Sequence, residues 1–258
     1  MTEKPGINEE FASNAFQQTM DLFVLPEINK RQEKGEIPKP FEILKALIIF
    51  YPDGKPNQVR LNDEVHAIAE LKLKPGISKK KGEPILNTEV EGIGASQLTE
   101  DADPDCGHIL LVNLGELWLL SFDFRYNKNL SQKHIDRANE FIDCAEFSFQ
   151  KGHWGSFIDN LFSASELLAK SFLLMFPDPK LRQKTSHHII KNGFNKFINT
   201  GNLTPKYSKT INKLTDLRGK GRYVNGKIFL ASDEAKELLD CLKSMRDDAE
   251  RHISPRKE

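Results

Sequence analysis

The sequence predicts an α+β fold in which an N-terminal helix and a small, mainly antiparallel β-sheet domain precede an all-α helical bundle. The first observation is the distribution of proline, since nine of the thirteen prolines lie within residues 1–104 and none lies between Asp105 and Phe176. Proline removes a backbone donor and collides with the preceding helical turn, so only the second half has room for long helices. The second observation is that apolar residues form short continuous runs in the first half, whereas in the second half they recur every three or four residues, as on one face of a helix. We therefore predict two domains, 1–127 and 128–258.

The first predicted element is a helix from about Glu9 to Glu33. Asn8 is a suitable cap, and the acidic residues that follow it suit the positive end of the helix dipole. Pro26 is expected to bend this helix or to split it. Apolar residues at helical spacing predict the buried face, which would contain Phe11, Ala15, Leu22 and Leu25.

Strands are predicted from residue 41 onwards. Short apolar runs bounded by turn residues are typical of strands, and two such runs around Gly115 predict a hairpin with one buried face. The predicted strands are Phe41–Phe50, Val59–Leu61, Ala67–Leu73, His108–Leu114 and Glu116–Phe124.

Two charged loops lie between these strands. The lysine run within Ser78–Gly82 admits two interpretations, a solvated loop tip or a phosphate contact. The acidic segment Glu100–Asp105 lacks the glycine and the distant glutamate of a calcium-binding loop, so it is predicted to be a surface loop. The residues therefore indicate neither a metal site nor a cofactor.

Five amphipathic helices are predicted in the second half, and short loops between them indicate a bundle. Ser131 is the expected cap of the first helix, and Thr204-Pro205 is a cap followed by proline at the first helical position of the fourth. The predicted core residues are Ile135, Ala138, Ile142, Ala145 and Phe149; Phe157, Leu161, Ala164, Leu168 and Phe172; Ile189, Phe194 and Phe197; Ile211, Leu214 and Leu217; and Ala235, Leu238, Leu242, Met245 and Ala249.

Composition excludes several classes of protein. The 37 basic and 37 acidic residues balance, so a binding site for a polyanion has to be local. The three cysteines form no close pair, which argues against a metal knuckle or a disulfide framework. The N-terminus lacks the apolar core of a secretion signal and the longest apolar runs are too short for a bilayer, so we expect a soluble cytoplasmic protein.

The segment Leu217–Tyr223 carries the strongest functional signal. It contains Arg218, Lys220 and Arg222 with glycines between them, followed by Tyr223. We predict a glycine-rich loop between two helices, in which the guanidinium groups bind phosphate oxygens. The expected ligand is a polyanion.

Several segments in fixed order resemble the HEPN (higher eukaryotes and prokaryotes nucleotide-binding) superfamily. The resemblance covers roughly Ser131 to Ile253. The segments are Asn160–Lys170, Lys184–His188, Phe197–Leu203, Leu217–Tyr223 and the acidic start of the last helix.

The resemblance implies a helical bundle that dimerises and acts on RNA or nucleotides. Active members of the family are metal-independent ribonucleases with an arginine, four to six residues and a histidine, in which arginine stabilises phosphodiester charge and histidine moves a proton. Here Arg218 is followed after four residues by Tyr223, and tyrosine is a poor base at neutral pH because its ordinary pKa is about 10. This departure argues against cleavage.

Other residues of these segments admit two interpretations each. His187 or His188 either caps and packs, or faces Arg218 and helps to bind or cleave a phosphodiester. Glu166 and Lys170 either form a surface pair or, as the resemblance implies for Glu166, orient Arg218 from inside the bundle. Tyr223 is either an aromatic residue at the core edge or a surface on which a base stacks.

The function predicted from these observations is that of an RNA- or nucleotide-binding component of a bacterial toxin–antitoxin or phage-defence system. A metal-independent endoribonuclease that uses Arg218 with His187 or His188 is the first alternative. A protein-interaction scaffold is the second. The expected partners are RNA or a nucleotide, a second copy of the bundle, and a minimal nucleotidyltransferase or another defence protein.

Overall fold

The structure is a computed structural model that describes residues 9–115, 117–182, 186–222 and 230–254, with the backbone alone at Glu9, Pro179, Arg182 and Arg222. The chain packs into two compact units. The first comprises Met1–Tyr51 and Lys55–Phe124, and the second comprises Arg125–Glu258 together with Pro52–Gly54. Each unit has its own hydrophobic core.

The first unit begins with a continuous helical segment. It consists of α1 (Glu9–Thr19), a π-helical turn (Met20–Val24) and α2 (Leu25–Glu33). Pro26 lies in the first turn of α2, where its missing N–H costs little. The segment thus has the predicted bounds, and the irregularity lies just before the proline.

The predicted buried face of this helix is wrong. Phe11, Leu22 and Leu25 are exposed by 62%, 66% and 39%. The sequence has apolar residues on two faces, and the π turn, with its wider repeat, changes which residues share a face after Thr19. The face that packs on the sheet contains Phe16, Met20, Phe23, Val24 and Ile28.

Among the described residues of this unit, six strands form two antiparallel sheets. The strands are β1 (Lys45–Phe50), β2 (Gln58–Leu61), β3 (Ala67–Leu73), β4 (Val90–Leu98), β5 (Gly107–Asn113) and β6 (Trp118–Asp123). One sheet has the order β2-β1-β5-β6 and the other pairs β3 with β4. The predicted hairpin is confirmed as β5–β6, where His108 lies opposite Asp123. The first predicted strand begins four residues later, at Lys45, and β4 was not predicted.

The second unit is helical throughout its regular structure. Its helices are α3 (Lys128–Gln150), α4 (Trp154–Leu174), the short α5 (Pro179–Arg182), α6 (His187–Asn199), α7 (Pro205–Arg222) and α8 (Ser232–Ile253). α4 lies at the centre, because its residues Phe157, Leu161, Ala164, Leu168 and Phe172 are all fully buried. α3, α6, α7 and α8 all pack against it.

Most of the predicted bundle core is confirmed, and two details are corrected. Ser131 is not a cap, since α3 begins three residues earlier and the buried Ser131 hydroxyl donates to the carbonyl of Ser171 at 3.0 Å. Ile189 is exposed by 53% because the apolar face of α6 is formed by Ile190, Phe194 and Ile198. The Thr204-Pro205 start of α7 is confirmed, with Thr204 Oγ1 accepting a hydrogen bond from the Lys206 N–H at 3.4 Å.

Candidate functional site

The segment predicted as a glycine-rich loop is helical as far as the structure describes it. Residues 217–222 are the last turns of α7, so the predicted loop is wrong there. A helix tolerates isolated glycines at a cost of about 1 kcal/mol each, and packing of the apolar face outweighs that cost. Lys220 is exposed on this helix. The Arg222 side chain and Tyr223 lie outside the described residues, so their predicted roles stay predictions.

α4 provides the platform of the site. Asp159, Phe162 and Glu166 are spaced by three and four residues, which places them along one face of the helix. Phe162 is almost fully buried, whereas Asp159 and Glu166 have side chains exposed by 35% and 14%. An aromatic ring with a carboxylate on either side is therefore presented to α6 and α7.

Arg218 lies over this platform. Its guanidinium carbon is 4.1 Å from the centre of the Phe162 ring, which is the geometry of a cation–π contact. Its Nε is 3.4 Å from Asp159 Oδ1, a long ion pair. Among the described residues, no acceptor lies within hydrogen-bond distance of its two Nη groups. The edge of the guanidinium that forms a bidentate fork is thus available for a ligand.

His187 completes the cluster from the first turn of α6. Its Nδ1 is hydrogen bonded to Glu166 Oε1, and its ring lies edge-on to Phe162 with centroids 5.8 Å apart. The imidazole is exposed by 66%, while its carboxylate partner is exposed by only 14%. Burial raises the pKa of Glu166, and the nearby His187 and Arg218 charges partly offset that rise. The structure therefore brings together three of the predicted residues, Glu166, His187 and Arg218.

The two neighbouring histidines point to different partners. His188 Nε2 accepts a hydrogen bond from Asn192 Nδ2 at 2.9 Å, and both side chains are exposed on α6. Of the two alternatives for a histidine near Arg218, His187 is thus the one in contact with the platform.

Lys170 lies one turn beyond Glu166 on α4, and burial lowers the pKa of its ammonium group. Burial and then the charge of Lys170 lower the pKa of His134 to about 4. Among the described residues, the buried His134 Nε2 atom has no hydrogen-bond partner. A neutral imidazole on α3 therefore lies near the half-buried cation on α4.

Asp159 and Phe162 were not among the predicted site residues. The signal that would have identified them is their spacing, since they precede Glu166 by seven and four residues on the same helix face. Phe162 was overlooked because a buried phenylalanine in a bundle is ordinarily only a core residue.

The described residues contain neither a metal-binding cluster nor a membrane-spanning helix. No group of three or more histidine, cysteine, aspartate or glutamate side chains among them could hold a metal ion. Nor does any helix in this part of the chain have the length and apolarity needed to cross a membrane.

Comparison with known protein families places the bundle in one of them. Residues 131–252 match the family model described as the HEPN domain. The C-terminal part of this chain is therefore similar to the HEPN domain over these residues, and the resemblance found in the sequence is confirmed. The match supports a function related to nucleotides or RNA. Neither the curated proteins nor the solved structures include a significant match to the chain.

Proposed function

We propose that this protein binds RNA or a nucleotide through the cluster of Arg218, Phe162, Glu166 and His187 in its HEPN domain. The observation that carries the proposal is the position of Arg218 over the Phe162 ring, which the exposed His187 imidazole also contacts. The two Nη groups of Arg218 have no acceptor within hydrogen-bond distance among the described residues. A guanidinium fork of this kind matches the oxygens of a phosphate group.

The surrounding charges suit a local site. The ion pair with Asp159 and the cation–π contact with Phe162 limit the motion of the guanidinium, and Glu166 adds a nearby negative charge. A fixed arginine loses less rotamer entropy when it binds a phosphate than a mobile one does. Because the whole chain has no net charge, we expect this cluster, rather than the general surface, to retain the ligand.

Binding can be measured by fluorescence anisotropy of labelled single-stranded RNA and by calorimetry with mononucleotides. The wild-type protein is expected to bind one of these ligands, and Arg218→Ala is expected to weaken binding by about tenfold or more. Arg137→Ala is the matched control, because this arginine of the same domain is 64% exposed and, among the described residues, forms an ion pair only with Glu140, at 3.4 Å. Equal affinities for the Arg218 and Arg137 variants would contradict the proposal.

The second candidate function is metal-independent RNA cleavage, and the His187–Glu166 contact favours it. A carboxylate that accepts from Nδ1–H leaves Nε2 as the acceptor nitrogen of a neutral imidazole. That nitrogen would take the proton of an RNA 2′-hydroxyl, whose oxygen then bonds to phosphorus while the bond to the 5′-oxygen breaks. A 2′,3′-cyclic phosphate results, and the leaving 5′-oxygen takes a proton from a second acid, such as His187 of a second copy. Arg218 would stabilise the charge on phosphorus.

The test of this candidate is incubation of the purified protein with RNA in the presence of EDTA. Cleavage requires products that end in a cyclic phosphate and that disappear in both His187→Ala and Arg218→Ala. His153→Ala, which removes an exposed histidine from the same domain, serves as the control. Binding without products would leave the protein as a binder only.

We further propose that the domain forms a homodimer and works with a second protein of a toxin–antitoxin or phage-defence system. The large apolar side chain of Phe147 on α3 is 58% exposed, and it supports a dimer in which a second copy covers it. Light scattering should give twice the monomer mass, and Phe147→Asp should give the monomer. Loss of growth on expression, relieved by a neighbouring minimal nucleotidyltransferase gene, would support the defence setting. A protein that remains monomeric and binds no RNA would favour the scaffold alternative.

A further inference from the structure

The outer face of α6 carries a second group of side chains beside the proposed phosphate site. His188, Ile189 and Asn192 are all exposed, and they lie next to one another around the helix. His188 directly follows His187, so this group begins at the edge of the cluster that contains Arg218. An imidazole, a branched apolar chain and a carboxamide are side chains that contact nucleobases rather than phosphates.

The carboxamide of Asn192 has a fixed orientation. Its Nδ2 donates to His188 Nε2 at 2.9 Å, one turn earlier on the helix. The second N–H of Nδ2 and the Oδ1 atom then form a neighbouring donor and acceptor. This pair complements the N7 acceptor and N6 donor of adenine, the arrangement in which asparagine reads that base.

A hydrogen-bonded seam fixes α6 against α7 behind this group. Ser208 Oγ donates to Asn195 Oδ1 at 2.6 Å, and Asn195 Nδ2 donates to Asn212 Oδ1 at 3.3 Å. These three side chains are half-buried between the helices. The seam therefore holds the His188–Asn192 face and the Arg218 helix in one arrangement.

We propose that His188, Ile189 and Asn192 form a base-recognition subsite that prefers adenine in the nucleotide whose phosphate is bound by Arg218. The inference rests on the proposed RNA or nucleotide binding and adds a base preference to it. Asn192 reads the base edge, Ile189 contacts the base face, and His188 positions the carboxamide.

The test compares affinities for oligoadenylate, oligocytidylate and oligouridylate of equal length. The wild-type protein is expected to prefer oligoadenylate by about fivefold or more, and Asn192→Ala is expected to bind the three RNAs with similar affinities. Asn192→Asp should move the preference towards cytosine, because a carboxylate only accepts hydrogen bonds and the N4 amino group of cytosine only donates them. Asn202→Asp adds the same charge at an exposed position outside the subsite, and should lower all three affinities equally.

The outcomes separate this inference from the function on which it rests. Wild-type protein that binds all three RNAs equally, or an adenine preference that persists in Asn192→Ala, would overturn the subsite and leave phosphate binding intact. Arg218→Ala should weaken all three RNAs by a similar factor. Protein that retains none of the RNAs would overturn both proposals.

Discussion

His134 shows at the scale of one residue how burial controls ionisation in the HEPN domain. Its Nε2 atom is buried without a hydrogen-bond partner, and burial, with the charge of Lys170, lowers its pKa from the ordinary 6.5 to about 4. The unfolded chain therefore binds a proton more readily than the folded one between these two values. The stabilisation that results is complete above the unfolded pKa and is lost as the pH falls through the folded pKa.

We predict that acidification from about pH 7 to about pH 4 lowers the free energy of unfolding of this domain by about 1–2 kcal/mol through His134, because partial exposure of the imidazole screens the full effect of the pKa shift. His134→Leu should remove most of that loss, because leucine has a similar volume and no proton to bind. Urea denaturation at several pH values measures the free energy of unfolding of the wild-type protein and of the variant. His153→Leu is the control, since this exposed histidine makes no side-chain cap contact at the start of α4. An unchanged pH dependence in His134→Leu would show that other groups dominate acid unfolding.

Among the individual elements, β2 is an edge strand whose free side is covered by an ion-pair cluster. Arg31 Nη2 donates to the carbonyl of Val59 at 2.9 Å, and the Leu61 N–H donates to Glu64 Oε2 at 3.1 Å. Arg31 Nη1 also contacts both Glu64 oxygens, and its Nε donates to Glu27 at 2.8 Å. Glu27, Arg31, Val59 and Glu64 line a polar cavity of about 610 Å³. The hydrogen bonds to Val59 and Leu61 occupy backbone groups on the free edge of β2 that would otherwise pair with a strand of another molecule.

We predict that Arg31→Ala destabilises the first unit by about 1–3 kcal/mol, because it removes the donor to the half-buried Val59 carbonyl and Glu27 carboxylate. Lys30→Ala is the matched control and should cost less than about 0.5 kcal/mol, since that ammonium group is 60% exposed. Urea denaturation followed by Trp118 fluorescence, in a Trp154→Phe background, reports on this unit. Equal effects of the two substitutions would refute the edge-capping role.

Gly219 tests the corrected assignment of α7. A Cβ added there would meet nothing within 4 Å, and the residue does not have a positive φ. We therefore predict that Gly219→Ala stabilises the bundle by about 0.5–1 kcal/mol through helix propensity. In Gly193→Ala of α6 the new Cβ would lie 3.2 Å from Leu173 Cδ1, so its gain should be smaller. The free energies of unfolding of the two variants can be compared by urea denaturation, with Trp154 fluorescence as the signal. Destabilisation by Gly219→Ala would favour the loop predicted from the sequence.

Helices and strands with a single apolar face were predictable from the sequence, and the others were not. The stripes of α3, α4 and α8 each repeat on one face, which is why their core residues were identified correctly. The segment before Pro26 has apolar residues on two faces, and only packing on the sheet decides between them. In β4, Gly92 and Gly94 interrupt the apolar pattern, so nothing local indicated a strand.

Taken as a whole molecule, the chain carries its proposed chemistry in the second unit. Glu166 and Arg218 lie 52 positions apart in the sequence, and His187 lies between them. The resemblance to the HEPN family was the sequence signal that linked these three residues. Their joint contact with Phe162 depends on how α4, α6 and α7 pack, which spacing along the sequence does not encode. The family match lies within the second unit, at residues 131–252, and the role of the first unit is not part of the proposed site.

Arg218 and His187 are proposed to contact the same ligand. A double-mutant cycle on RNA affinity measures whether they do. We predict that Arg218→Ala and His187→Ala each weaken binding and that the double variant loses clearly less than the sum of the two, since either change disrupts the same site. The pair Arg218→Ala and Arg137→Ala should be additive. Additive losses for Arg218 and His187, or no loss in either single variant, would contradict a shared site.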